Sequence, residues 1–273
     1  MTFNLISLGL NKNSISADAL EILKSCDKIY LENYTVNFPY SIEELEKGLN
    51  VLIQKRTIPN KRSEASPIKG VVGGVVSDTN QKIKMSELDR TKVEDESILE
   101  EAKSKNIALL IYGDALSATT HTQLILECKR QKIPYQIFHN TSIMTVIAET
   151  GLQLYKFGKT ASMPNWKEHT NKPISFMNYI KENQSIKAHT LILTDIGLEI
   201  KTAMIQLLES SEKTGIKLPE KIIAISNAGT SKQKIFYDTP ENLKKKNISM
   251  PFCLIIPTEL HFLEEEMLEE MAE

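Results

Sequence analysis

The run Ile107-Ala108-Leu109-Leu110-Ile111-Tyr112 is apolar without alternation, and it breaks into Gly113-Asp114-Ala115-Leu116-Ser117-Ala118-Thr119-Thr120-His121. A continuous apolar run of this length reads as a strand buried on both faces, as in a parallel sheet. Gly113 then lets the backbone turn tightly at the strand end. The periodicity that follows predicts a helix over Thr122–Gln131 and a strand over Tyr135–Phe138. Strand, turn, helix and strand are the repeating unit of an α/β fold.

The same alternation continues in both directions. Residues 3–8 read as a strand, Ser16 as an N-cap, and Leu20, Ile22, Leu23 and Cys26 as the inward face of a helix. A strand over 28–31 follows. A polar helix over 93–105 turns Ile98, Leu99 and Ala102 inward. After residue 138, a helix opens at Thr141 or Ser142 and closes before Gly151. A second series then runs as strand 160–163, helix 176–183, strand Thr190–Thr194, helix 200–209, strand 221–226, short strand 235–237 and strand Phe252–Ile256. Thr239-Pro240 marks another helix start. Leu260, Leu263, Met267 and Met271 form the expected apolar stripe of a terminal helix, with its glutamates on the solvated face. The fold class is therefore α/β with parallel or mixed sheets. Two α/β domains are expected, 1–156 and 157–273, the composition changing around 155–164. Residues 54–81 interrupt the rhythm with Pro59, Pro67, Gly70, Gly73 and Gly74, and read as a surface insertion with a hairpin tip at the glycine pair.

The 273 residues are 41 % hydrophobic and 25 % charged, with net charge -2, which suits a sizeable core and excludes wholesale disorder. Nucleic-acid backbone binding over a broad face needs a basic excess that is absent. Cys26, Cys128 and Cys253 form no C-x-x-C pair, and the five histidines form no H-E-x-x-H, so neither a disulfide framework nor a zinc motif is expected. The apolar runs fall far short of the ~20 residues of a membrane span. The N-terminus carries no basic leader, and a cytoplasmic location is expected.

Ligands of open α/β sheets bind beyond the carboxyl ends of strands. Three loops qualify: Gly9-Leu10-Asn11, the 112–121 loop, and His139-Asn140-Thr141-Ser142-Ile143. The first holds a single glycine rather than G-x-G-x-x-G, and no G-x-x-x-x-G-K-[ST] occurs, so neither a dinucleotide fingerprint nor a P-loop is present. Asp114 reads either as an acceptor for a ligand or as a cap for orphan helix N–H groups. His139 reads either as a general base or as a structural histidine, and Thr141 or Ser142 as an N-cap.

These loops carry a resemblance. Leu5-Ile6-Ser7-Leu8-Gly9-Leu10, Leu31-Glu32-Asn33-Tyr34-Thr35, the G-D-x-x-x-A-T-T-H string from Gly113, His139-Asn140-Thr141-Ser142-Ile143 and Gly151-Leu152-Gln153-Leu154-Tyr155-Lys156-Phe157-Gly158 resemble the diphthine synthases. This family belongs to the tetrapyrrole-methylase type of S-adenosylmethionine enzyme. The resemblance implies two α/β domains with S-adenosylmethionine in the cleft between them, S-adenosylhomocysteine as product, and a homodimer. It implies repeated methylation of the amino group on the 3-amino-3-carboxypropyl-histidine of translation elongation factor 2. Carried onto this chain, the cofactor contacts are Leu10, Asp114, Ser117, Ser142, Ile143, Thr194, Ala228 and Phe252. No catalytic side chain and no metal are implied, since methyl transfer to an amine rests mainly on positioning.

The chain departs from the family pattern where Ala115 replaces a proline, Asn227 an arginine, Gly197 a lysine and Phe252 a histidine. These changes bear on acceptor recognition more than on the cofactor. An extra segment of many eukaryotic members is missing after Asp195-Ile196, which points to the compact archaeal form and a trimethylated product. Two other readings remain: a same-fold methylase acting on a tetrapyrrole, and a non-catalytic homologue that holds a cofactor or partner.

Overall fold

The computed structural model describes residues 1–57, 83–94 and 97–271. The expected hairpin tip near Gly73 and Gly74 lies outside them. The chain divides into two compact units, Met1–Glu32 with Tyr40–Asn140, and Asn33–Pro39 with Thr141–Glu273.

The first unit contains β1 (Phe3–Ser7), α1 (Ala17–Lys24), β2 (Lys28–Glu32), α2 (Ile42–Thr57), β3 (Ser86–Leu88), α3 (Arg90–Glu94), α4 (Ser97–Ala102), β4 (Ile107–Ile111), α5 (Thr122–Gln131) and β5 (Tyr135–Phe138). Its sheet runs β3-β2-β4-β1-β5 with every pairing parallel. Phe3 pairs with Ile107 and Ser7 with Ile111. Every residue of β1 and β4 is buried, as their unbroken apolar runs demand. Ser16 caps α1, its hydroxyl accepting from the Ala19 N–H at 3.2 Å. Of the helix expected over 93–105, the described residues show α3 and α4, with residues 95 and 96 outside them. The second stops at Ala102 because the N–H groups of Lys103 and Ser104 close onto carbonyls three residues back. Ile98, Leu99 and Ala102 are buried as expected.

The second unit contains α6 (Ile143–Val146), 3₁₀ turns at Ile147–Thr150 and Leu154–Lys156, β6 (Ala161–Met163), a 3₁₀ turn at Trp166–Glu168, α7 (Phe176–Ser185), β7 (Thr190–Thr194), α8 (Ile200–Thr214), β8 (Ile222–Ser226), β9 (Lys234–Asp238), α9 (Pro240–Leu243), β10 (Phe252–Ile256) and α10 (Phe262–Glu270). The sheet runs β6-β7-β10-β8-β9, with β6 parallel to β7 and the other pairs antiparallel. Phe176, Met177, Ile180, Met204 and Leu207 from two helices cover it. Thr239 caps α9 with Pro240 at its first turn.

Helix α10 corrects the expected stripe. Leu263 and Met267 are 52 % and 42 % exposed, while Glu264 is fully buried with Leu268. The cause is a capping box: the Glu264 carboxylate accepts from the His261 N–H at 2.7 Å. It also accepts from the Gln153 N–H at 2.9 Å and from the Lys156 ammonium. These fixed donors set the rotation of the helix against the pull of its apolar side chains. His189, itself buried, reaches Glu264 at 3.4 Å through Nε2. The Thr258 N–H donates to His189 Nδ1 at 3.1 Å, so the proton sits on Nε2.

Burial works to raise the Glu264 pKa, but the N–H groups of Gln153 and His261 and the Lys156 ammonium outweigh it, and the value falls from 4.5 to about 2. Burial holds His189 below its usual 6.5. Both shifts carry the same sign: the deprotonated form is favoured in the folded chain, so stability falls on acidification. The Glu264 contribution, roughly 3 kcal/mol, is complete above the unfolded value and is lost as pH drops toward about 2. Urea midpoints should therefore decline in acid, first through His189 and then more steeply through Glu264. Glu264→Gln should flatten the second phase; an unchanged acid limb would contradict the assignment.

Candidate functional site

The carboxyl ends of β1, β4 and β5 lie side by side in the first sheet. Beyond β1 and β4, Gly9 and Gly113 bond reciprocally, N–H to carbonyl, at 3.0 Å in each direction. Both adopt left-handed backbone, φ +71° and +72°. A Cβ on Gly9 would lie 2.5 Å from Ser14 Oγ and 2.9 Å from Asn140 Oδ1. Glycine is thus required twice at position 9, for its φ and for its lack of bulk. Gly9→Ala should cost about 2 kcal/mol in chemical denaturation; an unaltered midpoint would refute the close packing.

Asp114 is 8 % exposed and all its acceptor positions are used. Oδ1 accepts from the Leu116 N–H at 3.0 Å and the Ser117 hydroxyl at 3.3 Å. Oδ2 accepts from His139 Nδ1 at 2.9 Å and the Asn140 N–H at 3.1 Å. Burial alone would raise its pKa; the two backbone donors and His139 reverse this and hold it below the usual carboxylate value. The sequence left open whether Asp114 caps a turn or faces a ligand. It does cap the turn, and it also ties the loop after β4 to the loop after β5 while staying ionised. Asn140 completes the tie, its Nδ2 donating to the Ser7 and Ser14 carbonyls at 3.3 and 2.8 Å.

The rest of the G-D-x-x-x-A-T-T-H string builds the loop. The Ala115 N–H donates to Ser7 Oγ at 2.9 Å, and the Ala115 carbonyl accepts from Thr119 Oγ1 at 2.6 Å. That carbonyl also lies 3.2 Å from His121 Nδ1, which must therefore carry a proton. His121 Nε2 lies 3.1 Å from Glu32 Oε2, with both side chains fully buried. The approach is poorly directed for a hydrogen bond, and the Glu32 oxygens find no other donor among the described residues. Sequence reading passed over this pair, 89 positions apart; only the presence of both residues in the matching strings hinted at it.

Of the other expected contact residues, Leu10 is buried beside the Gly9 bridge in the first unit, and Ser117 is half-buried. Ser142 and Ile143 open α6 in the second unit. Ser142 occupies the N-cap position, but its hydroxyl makes no capping bond. Thr194, Phe252 and Ala228 are gathered at one end of the second sheet. Thr194 Oγ1 donates to the Phe252 carbonyl at 2.6 Å, Phe252 pairs with Ser226, and the Asn227 N–H donates to the Pro251 carbonyl at 2.8 Å. Asn227 takes a left-handed φ of +49°, with its amide held by Ser226 Oγ and Ser249 Oγ at 2.9 and 2.7 Å. Gly197, φ +72°, has open space where a Cβ would stand.

The Gly151 to Gly158 string proves architectural. A Cβ on Gly151 would lie 2.5 Å from Met267 Cβ, and one on Gly158 would collide with Asn183. Lys156 pairs with Glu264, and the Phe157 ring meets His189 edge-on at 5.4 Å.

Strand-end backbone and one ionised carboxylate at the edge of the first sheet suit a ligand that carries both cationic and polar parts. Among the described residues no group of three or more His, Cys, Asp or Glu side chains is placed to hold a metal ion, and no helix is long and apolar enough to cross a membrane. Cys26, Cys128 and Cys253 are buried and form no disulfide among the described residues.

Comparison with known proteins gives four findings. Residues 2–244 match the family described as Tetrapyrrole (Corrin/Porphyrin) Methylases. The chain is 31 % identical to the diphthine methyl ester synthase of Schizosaccharomyces pombe, over 99 % of this chain and 94 % of that one. It is 33 % identical to the diphthine synthase of Methanococcus vannielii, over 97 % of each. A crystal structure of diphthine synthase superposes with TM-score 0.79 at 30 % identity, covering 100 % of this chain and 96 % of that one.

Proposed function

We infer the function from the premise that the chain belongs to the tetrapyrrole (corrin/porphyrin) methylase family. It is a methyltransferase of the diphthine synthase type, acting in diphthamide biosynthesis. The donor is S-adenosylmethionine, and the acceptor is the amino group of the 3-amino-3-carboxypropyl-histidine on translation elongation factor 2. The observation that carries this reading is similarity along nearly the whole chain to relatives of one enzymatic class. Neither a tetrapyrrole acceptor nor a non-catalytic role is favoured by that pattern.

The donor supplies an electrophilic methyl group on a sulfonium, beside a polar amino-acid tail and a nucleoside. The residues fit it. Asp114 stays ionised at the carboxyl edge of β4. The Ser142 hydroxyl makes no capping bond. Leu10, Ile143 and Phe252 offer apolar cover, and Ser117, Thr194 and Ala228 complete the proposed contacts. The enzyme works as a cytoplasmic homodimer and engages neither nucleic acid nor membrane. Positioning supplies most of the rate, up to ~7–11 kcal/mol in well-oriented systems.

A second reading concerns the acceptor atom. The S. pombe relative is named for a methyl ester, which places a methyl on a carboxylate oxygen. The missing eukaryotic segment favours transfer to nitrogen alone and a trimethylated product. Mass spectrometry of elongation factor 2 carrying the unmethylated side chain, after incubation with enzyme and donor, tests both. Added methyl groups that survive mild alkali are expected. Loss of one methyl in alkali would identify the ester, and an unchanged factor beside an active control would overturn the function.

A further inference from the structure

We propose that His139 takes the proton from the acceptor amine, with Asp114 orienting it; this rests on the function proposed above. Asp114 is ionised and can only accept, so the 2.9 Å contact requires the proton of His139 to sit on Nδ1. Nε2 is left as the lone-pair nitrogen. It has no partner among the described residues, and the side chain is 65 % exposed. A base nitrogen open to a substrate, backed by a buried carboxylate on the other ring nitrogen, is the arrangement of an oriented general base. Two backbone donors also grip Asp114, so the ring hangs from a fixed anchor.

The chemistry calls for such a group. The acceptor amine sits on the carbon that also bears the carboxylate, so it resembles an α-amino group, whose ordinary pKa is about 7.7–8.0, and is largely ammonium at neutral pH. An ammonium nitrogen has no lone pair with which to take a methyl. In each round an N–H bond breaks, its proton moves to His139 Nε2, and its electron pair stays on nitrogen. That pair forms the new N–C bond, the S–C pair leaves with sulfur, and the imidazolium returns its proton to water. The second and third methylations repeat the need, because the mono- and dimethylated products are again protonated, while the quaternary trimethyl product holds no proton and ends the series. Transfer to a carboxylate oxygen needs no such step. Asp114 is the charged group in contact with the ring. The loop after β1 approaches through Ser7 and Ser14, while its Lys12 is turned to Glu44 at 3.0 Å.

The test uses the full chain. With His139→Gln, N-methylation of elongation factor 2 near neutral pH should fall by about 100-fold. It should recover toward the wild-type rate near the amine's own pKa, where solvent removes the proton. S-adenosylmethionine affinity by calorimetry should fall less than about 10-fold, far less than the rate, because the Leu116 and Asn140 N–H groups still hold Asp114. A readout independent of turnover is the ¹⁵N spectrum of the ring in ligand-free protein: Nδ1 protonated in the wild type, and redistributed toward Nε2 in Asp114→Asn. Equal rates for variant and wild type across pH, or a wild-type ring protonated on Nε2 alone, would overturn the proposal. A wild-type enzyme that methylates no elongation factor would overturn the function reading, and this proposal with it.

Discussion

Replacing Asp114 by alanine is expected to weaken S-adenosylmethionine binding by about 10- to 100-fold, roughly 1.4–2.8 kcal/mol. The carboxylate receives the Leu116 and Asn140 N–H groups, the Ser117 hydroxyl and His139 Nδ1. Alanine leaves those donors without their acceptor and releases two loops from each other. Hydrogen bonds to a charged group contribute about 1.5–3 kcal/mol each, but they share one anchor here and do not add. Asp114→Asn separates the two roles. Its amide oxygen can still accept from Leu116 and Ser117. Its NH₂ group would face the donors of His139 and Asn140, so that side of the tie is lost. Calorimetry should rank wild type above Asn and Asn above Ala. Equal affinity across the three would remove Asp114 from the donor site.

Glu264→Ala is expected to lower stability by about 3–5 kcal/mol, as when one partner of a buried ion pair is removed. For a chain of this size that corresponds to a thermal midpoint roughly 10 °C lower. Glu264 is fully buried and joins the Lys156 ammonium to the N–H groups of Gln153 and His261. Truncation strands both N–H groups and leaves the ammonium with only the Glu259 carbonyl, at 2.9 Å. Glu264→Gln keeps an acceptor oxygen while losing the charge, and should fall between the two. A change below about 1 kcal/mol for Glu264→Ala would show that the buried pair contributes little beyond its desolvation cost.

Strands and helices held by local pattern were legible in the sequence. β4, α5, β5, β7 and β10 need only an apolar run or a 3.6-residue period, and the Ser16 and Thr239 caps need only their own short segments. The helix of α10 was legible, but its buried face was not. Leu263 and Met267 are spaced as a core stripe, yet a capping box and a lysine 108 positions away turn the helix about Glu264 instead. Pattern reading ranks apolar residues and has no term for a distant cation. The same blindness hid the Glu32–His121 pair. In the site, Gly113 and Asp114 stood out because a glycine and an acid follow a buried strand. The alternatives posed for Asp114 were not exclusive, since one carboxylate both caps its own turn and grips His139. The purpose of Gly151 and Gly158 emerged only with Met267 and Asn183 packed against them.

We propose that the carboxyl edge of the first sheet holds the methyl donor. Amide chemical-shift mapping of the isotope-labelled protein during titration with S-adenosylmethionine tests it directly. The largest shifts should fall on Gly9 and Leu10, on Gly113 through Ser117, and on His139 through Ile143. Saturable binding that leaves those three loops unmoved, or no binding at all, would contradict the account.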